Sequence, residues 1–242
     1  MLASLPVRLI LAPALMAQAV AVRRRALVLP EPEGPRAGLS GSGPVLRLLI
    51  AGDSSAAGVG VAHQQQALSG QLVAALAPWF TVAWRLEAQT GDTSADTLSR
   101  LRARPAERFD IAVTALGVND VTHQVPLRRF RARQAALAAL LRDRFGVRAH
   151  WRAGLPPMHR FPVLPRPLRD VLGAQARAFD RVLAQTSGPG LHHLPFDETR
   201  LDPAMMAGDG FHPGAPLYTL WAQDLAAAIT AQGVPDDRET QA

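Results

Sequence analysis

Four short stretches of this 242-residue chain carry side chains able to do chemistry. Gly52-Asp53-Ser54-Ser55 offers a hydroxyl, Gly91-Asp92-Thr93 a bare backbone turn, and Gly117-Val118-Asn119-Asp120 a side-chain amide. Asp209-Gly210-Phe211-His212-Pro213 places an imidazole three residues after a carboxylate. Acyl transfer by a covalent route needs a nucleophile, a base, a group that orients the base, and donors for the developing oxyanion. In that scheme Ser54 supplies the hydroxyl and His212 the base, while Asp209 accepts from the other imidazole nitrogen and fixes the tautomer. The backbone N–H groups of Ser54 and Gly91 and the amide of Asn119 are the candidate oxyanion donors. A glycine lets the bare backbone approach a ligand closely, and an asparagine amide donates without carrying charge.

Each stretch alone has a plain structural reading, since Asp, Gly, Ser, Asn and Pro all favour turns and caps. Their placement separates the two readings. Val45 to Ala51 is an apolar run broken only by Arg47 and reads as a short buried strand ending at Ser54. Phe80 to Leu86, Asp110 to Leu116, Val147 to Ala153 and Leu191 to Phe196 follow as further strands. Helices are expected over Gln65–Ala77, Ser94–Arg102, Leu127–Arg144, Arg169–Thr186 and Ala215–Ala231, with Thr93 or Ser94 capping the second of these. Strand alternating with helix implies parallel strands joined by right-handed crossovers, hence a three-layer α/β/α sandwich. The first three stretches then sit at the carboxyl ends of successive strands, the edge where such sheets bind ligands, and the fourth can reach that edge from a loop.

The four motifs, in this order, resemble those of the SGNH or GDSL hydrolases, and the resemblance runs collinearly from about Val45 to Ala231. It is strongest to the compact bacterial branch of thioesterase I, lysophospholipase-type and arylesterase enzymes. The resemblance implies a flavodoxin-like sandwich with a five-stranded parallel sheet in the order 2-1-3-4-5, and neither metal nor organic cofactor. It implies Ser54 as nucleophile, Asp209 and His212 as the other triad members, and Gly91 and Asn119 as oxyanion donors beside Ser54. The implied substrate is a small acyl ester or lipid-like molecule. Ser55 stands where the family often has leucine, which touches local packing and leaves the chemistry intact. Asp53, with Met158, Phe161 and Leu164 from the proline-rich loop Leu155–Pro167, are further candidates for substrate contact.

Other function classes fit less well. An α/β-hydrolase places its nucleophile after several strands and in G-x-S-x-G, whereas one strand precedes Ser54 and residue 56 is alanine. A metallophosphoesterase site built from Asp53, Asn119, His123, Asp209 and His212 would lack closely set histidine ligands. An inactive, flavodoxin-like ligand-binding module is the alternative from another class, and it leaves Asp209 and His212 without a task. There is no cysteine, so no disulfide or thiol nucleophile is available. All 26 basic residues are arginine in a chain with 5% aromatics, which fits coding bias better than a nucleic-acid surface.

Residues 1–44 read as an apolar N-terminal segment with a Pro/Gly-rich linker, 45–232 as the domain, and 233–242 as a polar tail. Leu5 to Val22 is apolar apart from Arg8 and Gln18 and runs into Arg23-Arg24-Arg25. A spanning helix needs about 20 apolar residues, and Pro6 and Pro13 interrupt this one. Positive charge after the run opposes export and fits membrane association through residues 5–22 at a cytoplasmic face. A signal peptide cut at Ala17-Gln18-Ala19, giving a periplasmic or secreted protein, and a helix packed on the domain are the alternatives.

Overall fold

The computed structural model describes residues 5–233. In chain order the elements are α1 (Leu5–Arg25), β1 (Ala37–Ser40), β2 (Val45–Gly52), α2 (Ser54–Ala57), α3 (Leu68–Leu76), β3 (Thr81–Ala88) and α4 (Ser94–Ala103). They continue with β4 (Ile111–Ala115), α5 (Val118–Thr122), α6 (Leu127–Phe145), β5 (Ala149–Ala153), α7 (Leu168–Gln185), β6 (Leu191–Leu194) and α8 (Ala215–Gln232). The polar tail expected over 233–242 lies, beyond Gly233, outside the described residues.

The strand β2 shows why the chain folds into three layers. Leu46, Leu48 and Ile50 pack with Leu68, Leu72 and Leu76 of α3 and with Tyr218 and Leu225 of α8. Leu49 and Ala51, one residue out of phase, pack with Leu98 and Leu101 of α4 and Leu137 and Leu141 of α6. A parallel strand covered on both faces is apolar nearly throughout, and its two-residue period divides it between the two helical layers. A third cluster gathers Met158, Phe161 and Leu164 with Leu168, Leu172 and Phe179 of α7, and Phe179 stacks on Phe130 of α6 at 4.2 Å between ring centroids.

Among the described residues the sheet has six strands in the order β1-β3-β2-β4-β5-β6. The last five of these pair in parallel, in the expected 2-1-3-4-5 arrangement. The sixth strand corrects the expected count: β1 lies within the stretch read as a linker and adds antiparallel to the β3 edge, Ala37 opposite Arg85 and Ser40 opposite Val82. Its residues, Ala-Gly-Leu-Ser, are all exposed. With neither face buried there is no apolar alternation to mark it, and backbone pairing alone makes it a strand.

Strands β3 and β4 flank β2 on opposite sides, so the winding direction reverses beside β2. This leaves a crevice at the carboxyl ends of β2, β3 and β4. Leu15 and Val22 of α1 pack against the third cluster. Gln18 donates to the Arg166 carbonyl at 2.6 Å and accepts from the Leu168 N–H at 3.1 Å. Ile10, Met16 and Val20 of the same helix are exposed. Among the described residues no helix is long and apolar enough to cross a membrane.

Candidate active site

Where β2 ends, Asp53 caps the single turn α2: its Oδ1 accepts the Ser55 N–H at 3.0 Å and the Ser55 hydroxyl at 2.7 Å. Ser55, the departure from the usual motif, therefore serves the cap. Asp53 is buried, and that burial pushes its carboxyl up to about 6 against the opposing pull of the Ser55 bonds. Ser54 opens α2 and is 8% exposed. Two contacts draw the following turn against α8 and the His212 loop. The Tyr218 hydroxyl of α8 donates to the Val59 carbonyl at 2.8 Å. Gly60, at φ +113°, approaches Pro213 so closely that a Cβ would stand 2.1 Å from the Pro213 carbonyl oxygen, a fit open only to glycine.

The structure brings Ser54, His212 and Asp209 into one hydrogen-bonded chain. His212 Nε2 lies 2.8 Å from Ser54 Oγ, and His212 Nδ1 lies 2.5 Å from Asp209 Oδ2. The other oxygen of Asp209 accepts the backbone N–H groups of Phe211 at 2.9 Å and His212 at 3.0 Å. Burial pushes the Asp209 carboxyl up, but the bonds from the His212 ring and from these two N–H groups outweigh it and hold the group below its ordinary value. A carboxylate only accepts, so Nδ1 carries the proton of that bond, and in the neutral ring Nε2 is left as an acceptor toward Ser54. The ring is further held edge-to-face by Phe211, which meets Phe161 in the same manner at 5.2 Å.

Gly91 and Asn119 stand on the loops after β3 and β4, the two neighbours of β2. Gly91 has φ +89°, and a Cβ there would meet nothing within 4 Å; its glycine serves the backbone conformation and leaves open space. Asn119 Nδ2 donates to the Asp92 carbonyl at 2.9 Å, tying the two loops together. Asp120, fully buried, reinforces the tie by accepting both the N–H and the hydroxyl of Ser94 at 2.8 Å. Thr93 caps α4 through a reciprocal box with Asp96. Asp120 belongs to a motif visible in the sequence, yet its work as a loop clamp depends on a tertiary contact with α4.

A cavity opens from Ser54 and His212. Val118, Pro156, Phe161, Phe196, Leu217 and Trp221 form much of its apolar wall, and Asp53 and Ser55 also line it. Of the three loop candidates, Phe161 lines the cavity, whereas Met158 and Leu164 are buried in the third cluster and do not. Sequence reasoning missed Val118, Pro156, Phe196, Leu217 and Trp221 as wall residues; the last two lie one helical turn apart on α8, and that i,i+4 spacing was their available signal. A second cavity adjoins the first and shares Gly154, Phe196, Leu217 and Trp221 with it. Among the described residues no group of three or more His, Asp or Glu side chains is set to hold a metal ion.

Comparison with known proteins bears on what this arrangement does. The profile of the GDSL-like Lipase/Acylhydrolase family matches residues 50–220. The structure of TesA is similar at a TM-score of 0.60 and 24% identity, covering 76% of this chain and 98% of TesA. A variant of Axe2, an acetyl xylan esterase from Geobacillus stearothermophilus, is similar at a TM-score of 0.58 and 20% identity, covering 81% of this chain and 99% of its own. The psychrotrophic esterase EstA from Pseudoalteromonas sp., inhibited by monoethylphosphonate, gives 0.56 and 19%, covering 77% and 97%. These likenesses share a fold with this chain. No curated protein matches it in sequence.

Proposed function

The chain belongs to the GDSL-like lipase/acylhydrolase family, and on that premise we propose that it cleaves carboxylic esters or thioesters through an acyl-enzyme on Ser54. Membership makes it a hydrolase of ester bonds; the residue roles are this proposal's own. The observation that carries it is the chain Asp209–His212–Ser54, with links of 2.5 Å and 2.8 Å, ending in an apolar cavity.

The reaction follows from that geometry. His212 Nε2 takes the Ser54 proton as Oγ attacks the acyl carbonyl, and the ionised Asp209 stabilises the imidazolium that results. The N–H groups of Ser54 and Gly91 and the Asn119 amide receive the oxyanion. His212 then protonates the departing alcohol or thiol, and water repeats the cycle to release the acid. The apolar wall favours a substrate whose acyl part is hydrocarbon, a lipid-like ester, because such a group gains by leaving water.

Turnover of p-nitrophenyl butyrate by the wild type, Ser54→Ala and Asn119→Ala tests the proposal. Ser54→Ala is expected to abolish turnover, and Asn119→Ala to lower kcat by about 10²–10³, the usual effect of losing one oxyanion donor. A folded Ser54→Ala protein with wild-type turnover would remove Ser54 from the chemistry. A folded wild type with no turnover of any acyl ester would favour the ligand-binding module.

A further inference from the structure

The geometry points to the segment just before the sheet, and to Glu31 in particular, as the device that positions the Gly91 loop for catalysis. This segment lies outside the family match at 50–220, and the inference rests on the role proposed above for the Gly91 N–H. Glu31 Oε1 accepts the Thr90 N–H at 2.7 Å and the Thr90 hydroxyl at 2.8 Å. Its other oxygen accepts from Arg36 at 2.8 Å, and Arg36 also donates to the Ala88 carbonyl. One carboxylate and its arginine thus grip the loop two residues apart, immediately before Gly91.

The same few residues hold the other half of the site. Pro32 is buried against Gly58, where a Cβ would lie 2.8 Å from the proline ring. Glu33 donates its N–H to Ala62 at 3.1 Å and accepts from Gln64 N at 2.8 Å. Gln64, buried, donates from its side chain to Ala57 at the end of the nucleophile turn, at 2.9 Å. The strap is anchored in turn by Leu86 N donating to Arg36 O at 2.7 Å and by the pairing of β1 with β3. It therefore ties the turn bearing Ser54 to the turn bearing Gly91 from outside the sheet.

Gly91 needs such an external hold. Nothing surrounds the place where its Cβ would be, and glycine has more conformational freedom than any other residue. Holding the Thr90 N–H and hydroxyl pins the residue whose carbonyl carbon bears the Gly91 N–H, so that a single backbone torsion, Thr90 ψ, is left between the anchored peptide and that donor. Small misplacements of a catalytic donor are costly, about 10²-fold for 1 Å. Glu31 touches no reacting atom in this account, so it is a positioning residue.

The test compares full-length wild type, Glu31→Ala and Glu31→Gln on p-nitrophenyl butyrate, with thermal unfolding recorded for each. Glu31→Ala is expected to lower kcat between about 10- and 100-fold while KM changes less than about twofold. Glu31→Gln, which keeps an acceptor for Thr90, should recover most of kcat. A kcat for Glu31→Ala equal to wild type overturns the inference, as does a loss carried by KM alone. Should Glu31→Ala fail to fold, Glu31→Gln and Arg36→Ala carry the test: kcat ordered wild type, Glu31→Gln, Arg36→Ala supports positioning, and wild-type kcat in Arg36→Ala overturns it. A wild type that turns over no ester would instead sink the proposed role of Ser54.

Discussion

Two buried side chains, Asp53 and His150, tie the stability of the molecule to pH in opposite directions. Burial raises Asp53 from its ordinary 3.8 to about 6. Between those values the native state keeps a proton that the unfolded chain has released, so this residue makes stability fall as pH rises through that window. His150 sits on β5 with Nε2 2.9 Å from the Thr114 hydroxyl and, among the described residues, no partner for Nδ1. Burial, helped by the charge of Arg152, lowers it from 6.5 to about 3. The unfolded chain then takes up a proton first, so stability falls as pH drops below about 6.5. Asp53→Asn can keep the acceptor for Ser55 and removes one slope. Urea unfolding of wild type and variant across pH 4–7 should show the wild type losing ground by on the order of 2–3 kcal/mol as pH rises from 4 to 6. A difference that stays flat over that range would mean Asp53 titrates at its ordinary value. The hydrogen-bonded chain itself was legible residue by residue: a serine at a strand end and an Asp-x-x-His before the last helix suffice to suggest it. The bonds of Asp120 and Glu31 were not, because their partners, Ser94 26 residues away and Thr90 59 away, are residue types that turns and caps use everywhere and carry no chemical signal of their own.

Helix α8 serves the site from three positions. Tyr218 holds the turn that follows Ser54, and Leu217 and Trp221 line both the cavity at Ser54 and its neighbour. Removing the indole should merge the two spaces and admit a longer acyl chain. For Trp221→Ala, kcat/KM across p-nitrophenyl esters of increasing length should peak at a longer chain than in wild type. Each additional buried methylene is worth about 0.8 kcal/mol, or about fourfold. An unmoved peak would place the limit of the cavity elsewhere. At this scale the long periodic helices and the apolar strands were legible, since their burial pattern is written in their residue types. The short elements were not. The strand β1 has no buried face, and α5 spans only Val118–Thr122, too few residues for a helical period to show. Which loop residues reach the cavity was equally hidden: Phe161, Met158 and Leu164 have the same apolar character, and packing alone sorts the one that lines from the two that fill.

Across the whole molecule, the site depends on segments from both ends of the chain meeting at one sheet edge. The strap at 31–36 reaches the loops after β2 and β3, the His212 loop comes from the far end of the domain, and α1 rests on the cluster that includes Phe161. The strands that alternate with helices pair in parallel, as that alternation implies, and in the order that the family resemblance implies; it is this winding that sets Ser54, Gly91 and Asn119 on neighbouring strand ends. The central claim is that this convergence makes Ser54 a nucleophile activated by His212. Labelling with a fluorophosphonate, read by peptide mass spectrometry, tests it most directly. The account predicts a single adduct on Ser54, absent in Ser54→Ala and strongly slowed in His212→Ala. A folded wild-type protein that takes up no label, or takes it at another serine, would contradict it.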